Sequence, residues 1–210
     1  MTLLIFDVNE TLTDLEPLRA RLAAAGADPD VLKTWFAATL RDGIALTLAG
    51  GFASFDQVAE AALMRIEPAA DAAEAVRGLS DAQPQDDVAP ALESLAAKGV
   101  QMITLSNGAA KTAATALERA GVAHLVERNL SVQDVGRWKP APEPYAFACD
   151  RCGVAPAEAL LVSVHPWDAA GASRAGMRAC FVNRDERGYP SYLEPPDITV
   201  TSLIEIADEL

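Results

Sequence analysis

The apolar segment at residues 3–6 is the feature that most restricts what this chain can fold into. Four apolar residues in a row are typical of a strand that is buried on both faces, as in a parallel sheet. Asp7 follows directly, so it would lie at the carboxyl end of that strand, the edge at which open α/β sheets bind ligands. A carboxylate buried there is unfavourable unless another group pairs with it. We interpret Asp7 as a nucleophile or a metal ligand; the alternative is a turn or N-cap aspartate.

The order of predicted segments indicates an α/β protein with a helical insertion. From Val88 onward, predicted strands at 100–105, 130–132, 160–164 and 178–182 alternate with helices. Repeated βα units of this kind imply a Rossmann-like, doubly wound parallel sheet. The segment between the first strand and this region contains only candidate helices. We therefore predict an α/β core made of residues 1–13 and 86–210, with an all-helical cap at 14–85.

Composition and charge restrict the class of partner. Half of the residues are hydrophobic, which is typical of a folded globular chain. The net charge of −13 argues against a nucleic-acid partner but leaves a small anionic substrate open, because a local cation can reverse the field in a cleft. No apolar stretch reaches the roughly 20 residues of a membrane span, and no basic segment precedes the first apolar run as in a signal peptide. Three cysteines fit a reducing compartment, so we expect a cytoplasmic protein.

Polar residues follow the predicted strands at four places. Each alone has an ordinary interpretation, since a serine after a strand is often an N-cap and a lysine before a proline is often solvated. Together they form an ordered set of a carboxylate, a hydroxyl, a lysine and a second carboxylate. The four features are Asp7 with Thr11, Ser106 with Asn107, Lys139, and the segment from Ser163 to Asp168.

This ordered set resembles the motifs of the haloacid dehalogenase superfamily. The resemblance covers residues 1–13 and about 88–185, and the helical segment looks like the family's cap. In this family the aspartate of the first motif is the nucleophile, so the resemblance implies that role for Asp7. The matching segments are Phe6-Asp7-x-Asn9-Glu10-Thr11-Leu12, Leu105-Ser106-Asn107-Gly108, Lys139-Pro140-x-Pro142, and Ser163-x-x-x-x-Asp168 ahead of Gly176-Met177.

Two positions argue against the phosphatases of this superfamily. They resemble one another in having a general-acid aspartate two residues after the nucleophile, where this chain has Asn9, and an amide cannot donate and retrieve a proton. They also hold magnesium with acidic residues of the fourth motif. Asp168 takes the second acidic place, but Val164 takes the first, and valine cannot bind Mg²⁺. We therefore expect no metal and no cofactor.

The remaining pattern looks most like the metal-independent branch, the L-2-haloacid dehalogenases. The resemblance implies that Asp7 displaces halide from a small 2-haloacid and forms an aspartyl ester. Water then attacks the carboxyl carbon of Asp7, which divides the reaction into two easier steps. The residues that carry this likeness are Tyr145, Ser163, Trp167 and Asp168 in the core, and Phe52 and Phe55 in the cap.

The resemblance also implies roles for the other candidates. Lys139 would keep Asp7 ionised, since an adjacent cation lowers the pKa of a carboxylate. Asp168 would balance Lys139 and orient the hydrolytic water, and Tyr145 would orient Lys139 or the substrate. The other candidates are Thr11 and Ser106 beside the nucleophile, and Asn9, Asn107, Ser163, His165 and Trp167 for substrate binding.

Three positions depart from the branch. It has tyrosine where this chain has Asn9 and asparagine where it has His165. Its cap arginine, which grips the substrate or the leaving halide, corresponds to Phe36, and Arg41 is the nearest basic residue. At about 100° per residue, the five residues between them turn a helix by roughly 500°, so Arg41 would point about 140° away. His165 could replace the lost positive charge or act on the hydrolytic water, or it could be structural.

Two other functions stay open from the sequence. One is a magnesium-dependent phosphatase or phosphonatase with atypical motifs, and the other is a non-catalytic binding protein on the same fold. Retention of Asp7, Lys139 and Asp168 argues against the second, because a buried ion pair without a catalytic use is unfavourable. The resemblance also implies a homodimer, which the sequence itself does not show.

Overall fold

A six-stranded parallel sheet, in the order β5-β4-β1-β6-β7-β8, forms the centre of the computed structural model, which describes residues 3–186 and 188–210. The Rossmann-like α/β class is thereby confirmed. Predicted strand ends differ from the observed ones by at most two residues, and the edge strand β8 was missed because it is only three residues long. The strands are β1 Leu3–Phe6, β2 Thr13–Asp14, β3 Gln83–Pro84, β4 Gln101–Ser106, β5 Arg128–Ser131, β6 Ala159–Ser163, β7 Arg178–Val182 and β8 Ile198–Val200.

Helices cover both faces of this sheet. β1 lies between β4 and β6 and pairs in parallel with both. Because successive strand residues point to opposite faces, Leu4 and Phe6 join one apolar cluster while Leu3 and Ile5 join another. This double burial explains the unbroken apolar run. The core helices are α5 Val88–Ala97, α6 Ala110–Arg119, α7 Pro142–Cys152 and α8 Pro166–Arg174.

The segment between β2 and β3 is helical, with an apolar cluster of its own. Trp138, which precedes Lys139 in the core, is buried in this cluster against Phe55, with the two rings 5.5 Å apart. Ser54 begins α3 with a side-chain cap that accepts the Gln57 N–H. The helices of this segment are α1 Leu18–Ala24, α2 Leu32–Leu48, α3 Phe55–Ile66 and α4 Ala72–Arg77.

The expectation of an all-helical insertion was wrong at its two ends. β2 and β3 form an antiparallel pair in which Thr13 lies opposite Pro84 and Asp14 opposite Gln83. Two residues on each side have no apolar alternation, so the sequence contained no strand signal there. The boundaries between the α/β core and the cap, placed at residues 13/14 and 85/86, stay a prediction.

Short 3₁₀ helices complete the described part of the chain, and none of its helices is long and apolar enough to cross a membrane. The 3₁₀ helices are Pro29–Val31, Gly78–Asp81, Ala123–Leu125, Val132–Asp134, Pro156–Glu158 and Leu203–Asp208.

Candidate active site

The carboxyl ends of β1, β4 and β6 bring the predicted residues to one edge of the sheet. Asp7 follows β1, while Ser106 ends β4 and Ser163 ends β6. Lys139 precedes α7, and Asp168 lies in the first turn of α8. Since the three strands are neighbours and parallel, residues from four separate motifs meet in space.

A buried ammonium group lies between two carboxylates at this edge. The Nζ atom of Lys139 is 2.8 Å from Oδ1 of Asp7 and 2.7 Å from Oδ2 of Asp168. Lys139 and Asp168 are completely buried, and Asp7 is 4% exposed. Charges removed from water in this way need good geometry and further hydrogen bonds to be tolerated.

Asp7 receives those hydrogen bonds from its own loop. The Thr11 hydroxyl donates to Oδ2 of Asp7 over 2.8 Å and accepts the Val164 N–H over 3.1 Å, which directs its hydrogen towards Asp7. Burial by itself raises the pKa of Asp7, but the charges of Lys139 and His165, with hydrogen bonds from Lys139 and Thr11, hold that pKa below its usual value. Asp7 is therefore ionised at neutral pH.

Asp168 is enclosed by partners on both oxygens. Tyr145 donates its hydroxyl to Oδ1 over 2.6 Å, and Lys139 occupies Oδ2. Burial raises the pKa of Asp168 despite the opposing charge of Lys139. One predicted contact is corrected here: Tyr145 is completely buried and donates to Asp168, not to Lys139 or the substrate. The predicted role of Asp168 in orienting the hydrolytic water stays a prediction.

Asn107 and Ser106 contact the backbone. Asn107 accepts the Lys139 N–H over 2.9 Å and donates to the Lys139 carbonyl over 3.4 Å, so its amide group positions the lysine, which corrects its predicted place in substrate binding. The Ser106 hydroxyl accepts the Gly108 N–H over 2.9 Å, which stabilises the loop after β4.

Ser163 likewise contacts the backbone, and this corrects its predicted place in substrate binding. It is completely buried, and its hydroxyl accepts the His165 N–H over 3.1 Å. The half-buried Trp167 stacks on the His165 ring, with the ring centroids 5.0 Å apart.

His165 lies between the nucleophile and the helical segment. Its Nε2 atom is 3.2 Å from the carbonyl oxygen of Asn9, 3.7 Å from Oδ2 of Asp7 and 3.8 Å from Oε2 of Glu10. One face of the ring meets Phe36 at 6.4 Å between centroids. Asn9 thus contacts His165 through its backbone, and the sequence did not predict that contact.

A cavity of about 400 Å³ opens between this edge and α2. Phe36, Lys33 and Leu32 line it from α2, and Glu10, His165 and Arg184 line it from the core. Arg41 is not among the lining residues: it is exposed and pairs with Asp42 over 2.8 Å. Its candidacy as a substrate-binding residue is therefore corrected, because the helix turns it to another side, as the angle between the two positions predicts.

Sequence reasoning missed two residues of the site. Glu10 has a φ of +63°, an unusual conformation for a residue with a side chain, and no sequence pattern encodes that angle. Arg184 donates to the carbonyl of Thr11 over 2.9 Å and pairs with both oxygens of Asp87. Arg184 lies two residues after the predicted strand at 178–182, so its position at the carboxyl end of a strand was the signal that the sequence offered.

Asp7 and Asp168 are two buried carboxylates of the kind that bind metal ions, but the ammonium of Lys139 already lies between them. Across residues 3–186 and 188–210, no three acidic, histidine or cysteine side chains gather in a way that would hold a metal ion. Independence from a metal or cofactor stays a prediction.

A buried carboxylate at the end of the central strand, paired with a buried lysine beneath a helical segment, places this chain among α/β proteins with an acidic site at the carboxyl edge of a parallel sheet. The family model for haloacid dehalogenase-like hydrolases matches residues 1–176. The chain belongs to this family and is a hydrolase.

Known relatives and solved structures agree with this assignment. The chain is 32% identical to (S)-2-haloacid dehalogenase 4A of Burkholderia cepacia, over 96% of this chain and 91% of that protein. It is 34% identical to (S)-2-haloacid dehalogenase 2 of Pseudomonas sp. (strain CBS-3), in an alignment that spans 61% of this chain and 56% of that protein. A crystal structure of a dehalogenase superposes with a TM-score of 0.89 at 29% identity, covering 100% of this chain and 97% of the other.

Proposed function

We propose that this protein hydrolyses the carbon–halogen bond of a small 2-haloacid through an ester of Asp7. The observation that carries the proposal is the ionised Asp7 carboxylate, held by Lys139 on one oxygen and Thr11 on the other. The names of the relatives, (S)-2-haloacid dehalogenases, support this class of substrate and its configuration. The phosphatase and binding-protein alternatives receive no support from the comparisons.

The first step uses the Asp7 oxygen nearest His165. Lys139 holds Oδ1 on the buried side, whereas Oδ2 lies 3.7 Å from Nε2 of His165, a residue that lines the cavity. Oδ2 forms a bond to the halogen-bearing carbon while the carbon–halogen bond breaks, and the halide leaves with the bonding electron pair. Displacement from the opposite side inverts the configuration of that carbon.

In the second step, water forms a bond to Cγ of Asp7. The carbonyl electron pair moves onto Oδ1, where the Lys139 ammonium, 2.8 Å away in the resting site, stabilises the negative charge. The Cγ–Oδ2 bond then breaks, and Oδ2 leaves with the substrate as a 2-hydroxyacid. Asp7 keeps one oxygen from water, and the reaction as a whole releases a halide ion and a proton.

The surrounding residues position these groups. Asp168 with Tyr145 holds the ammonium of Lys139, and Asn107 holds its backbone. A cytoplasmic location and a homodimer belong to the same proposal; free cysteines fit the former.

The first experiment measures halide release from L-2-chloropropionate and haloacetates with and without EDTA, beside phosphate release from p-nitrophenyl phosphate. We expect halide release that EDTA does not reduce. Asp7→Asn should abolish it, whereas Asp134→Asn, which changes an exposed aspartate, should not. Undiminished halide release by Asp7→Asn, or phosphate release that requires magnesium with no halide release, would contradict the proposal.

A second experiment locates the point of water attack. One turnover in H₂¹⁸O should place the label on Asp7, detectable in the peptide that contains it. If the label enters the product directly and Asp7 stays unlabelled, water attacks the substrate carbon and no ester forms.

A further inference from the structure

The imidazole of His165 is the titratable side chain that faces Oδ2 of Asp7, the oxygen that must leave during ester hydrolysis. We propose that His165 protonates this oxygen as the ester breaks, and that Glu10 positions His165 for the transfer. This inference rests on the proposed function and adds to it the proton donor of the second step.

The direction of the ring identifies the atom that would donate. Nε2 faces three oxygens, from Asn9, Asp7 and Glu10, at 3.2, 3.7 and 3.8 Å. A ring nitrogen surrounded by acceptors carries the hydrogen, because an unprotonated nitrogen would face them with its lone pair. The Nε2–H group therefore points to the side on which Oδ2 lies.

Two aromatic side chains pack beside the His165 ring. The centroid of the His165 ring is 6.4 Å from that of Phe36 and 5.0 Å from that of Trp167, with interplanar angles of 28° and 19°. The Ser163 hydroxyl accepts the backbone N–H of His165 over 3.1 Å and so fixes the backbone of this residue. Trp167, the nearer of the two rings, thus contributes an aromatic face that suits a positively charged ring.

Glu10 is the second carboxylate beside Nε2, and it is held in a costly backbone conformation. Left-handed φ values such as its +63° are unfavourable for residues with a Cβ atom and cluster at functional sites. Its side chain is 45% exposed at the wall of the cavity, from which it reaches His165. The other charged groups around this pair are Asp7 and Lys139 in the core, Lys33 on α2 and Asp185 after β7.

The proton balance of the step is complete without another reactant. The imidazolium gives its Nε2 proton to Oδ2 as the Cγ–Oδ2 bond breaks, which yields the alcohol. One proton of the attacking water restores the imidazolium, and the other passes to solvent. Asp7 returns to its carboxylate form, which its lowered pKa favours.

The test separates the two chemical steps in His165→Leu and His165→Gln; leucine has no polar group, and the glutamine amide keeps a donor near Nε2 but cannot transfer a proton. Wild type and variants are mixed with L-2-chloropropionate and quenched at short times, and released halide and the mass of the intact protein are measured. We expect both variants to release about one halide per active site and to accumulate the ester. Its hydrolysis should be slower by about 10²- to 10⁴-fold, the usual contribution of a general acid.

The chain has one other histidine, the exposed His124, so His124→Gln is the matched control and should behave as the wild type. Glu10→Gln tests the positioning role. Loss of this carboxylate should slow ester hydrolysis and leave the first halide release at the wild-type rate, and Glu10→Asp should restore part of the lost rate, whereas Glu60→Gln, at an exposed position of α3, should change neither step. An unchanged rate of ester hydrolysis in Glu10→Gln would overturn the role of Glu10.

The outcomes distinguish this inference from the proposed function. If the wild type releases halide but His165→Gln hydrolyses the ester at the wild-type rate, or loses the first halide as well, the role of His165 is wrong and the Asp7 ester stands. If the wild type forms neither halide nor ester, the proposed function fails and the role of His165 fails with it.

Discussion

The ammonium of Lys139 lies 2.8 Å from the carboxylate of Asp7, although 132 positions separate the two residues in the chain. Burial by itself lowers the pKa of Lys139, but Asp168 and Asp7 raise it above its usual value. The lysine is therefore charged throughout the neutral range. Its charge keeps the nucleophile ionised in a place where a lone carboxylate would become protonated.

Lys139→Met should leave two buried carboxylates without a cation and lower the free energy of unfolding at pH 7 by about 3–5 kcal/mol. The pH dependence of the contribution from Asp7 should also reverse. In the wild type, the pKa of Asp7 is below its usual value of 3.8, so its contribution to stability is present above that pH and is lost as pH falls through the lower, folded value. In the variant, burial raises both carboxyl pKa values, so stability should increase between pH 7 and pH 5.

Urea unfolding at both pH values measures this effect. Lys111→Met, at an exposed position of α6, serves as the control and should change little. Equal stability of Lys139→Met and wild type at pH 7 would show that the buried cation is not needed to compensate the carboxylates.

Tyr145→Phe should destabilise the protein by about 1–3 kcal/mol, the range for leaving a buried acceptor without its donor. The lost bond is the 2.6 Å contact with Oδ1 of Asp168. Thermal unfolding measures the change, and Tyr192→Phe is the control because Tyr192 is 84% exposed. A melting temperature of Tyr145→Phe equal to that of the control would contradict the importance of this contact.

Gly171→Ala should destabilise the protein by about 1–3 kcal/mol through overpacking. A Cβ atom at Gly171 would lie 2.6 Å from Cβ of Pro140 and from the Tyr145 hydroxyl, and 3.1 Å from Cα of Pro140. Because Pro140 follows Lys139, halide release should slow as well.

Gly51→Ala is the matched comparison, since the atom nearest to its Cβ would be Cδ1 of Leu46 at 2.6 Å, the end of a flexible side chain that can move. Chemical unfolding of both variants gives the comparison. Equal stability of the two variants would mean that the segment around Pro140 adjusts as easily as the side chain of Leu46.

Glu10→Gly should raise the free energy of unfolding by up to about 1 kcal/mol. It removes the left-handed strain of about 1–2 kcal/mol, which exceeds the extra backbone entropy of glycine of about 0.5–1 kcal/mol. Ester hydrolysis should slow in the same variant. Glu60→Gly, inside α3, should lower stability by about 1 kcal/mol, so the two glycine variants should differ in sign. A loss of stability in Glu10→Gly as large as in Glu60→Gly would show that the φ of +63° carries no strain.

Prediction from sequence succeeded where the signal is local. The unbroken apolar run of β1 identifies a central strand because only a strand buried on both faces needs it, and Asp7 follows as the residue at its end. The two-residue strands β2 and β3 escaped prediction, because their pairing depends on where the chain leaves and re-enters the core. Similarity of motifs, more than periodicity, indicated that Lys139 and Asp168 would meet Asp7.

By itself, then, the sequence determined the α/β class, the edge of the sheet that carries the chemistry and the residues gathered there. Only the tertiary structure decided which of them touch: that Tyr145 serves Asp168, that Asn107 holds the backbone of Lys139, and that Phe36 meets His165. The physical reason is that strand burial and helix periodicity are properties of neighbouring residues. A hydrogen bond between distant residues depends instead on how whole elements pack, at a precision of a few tenths of an ångström.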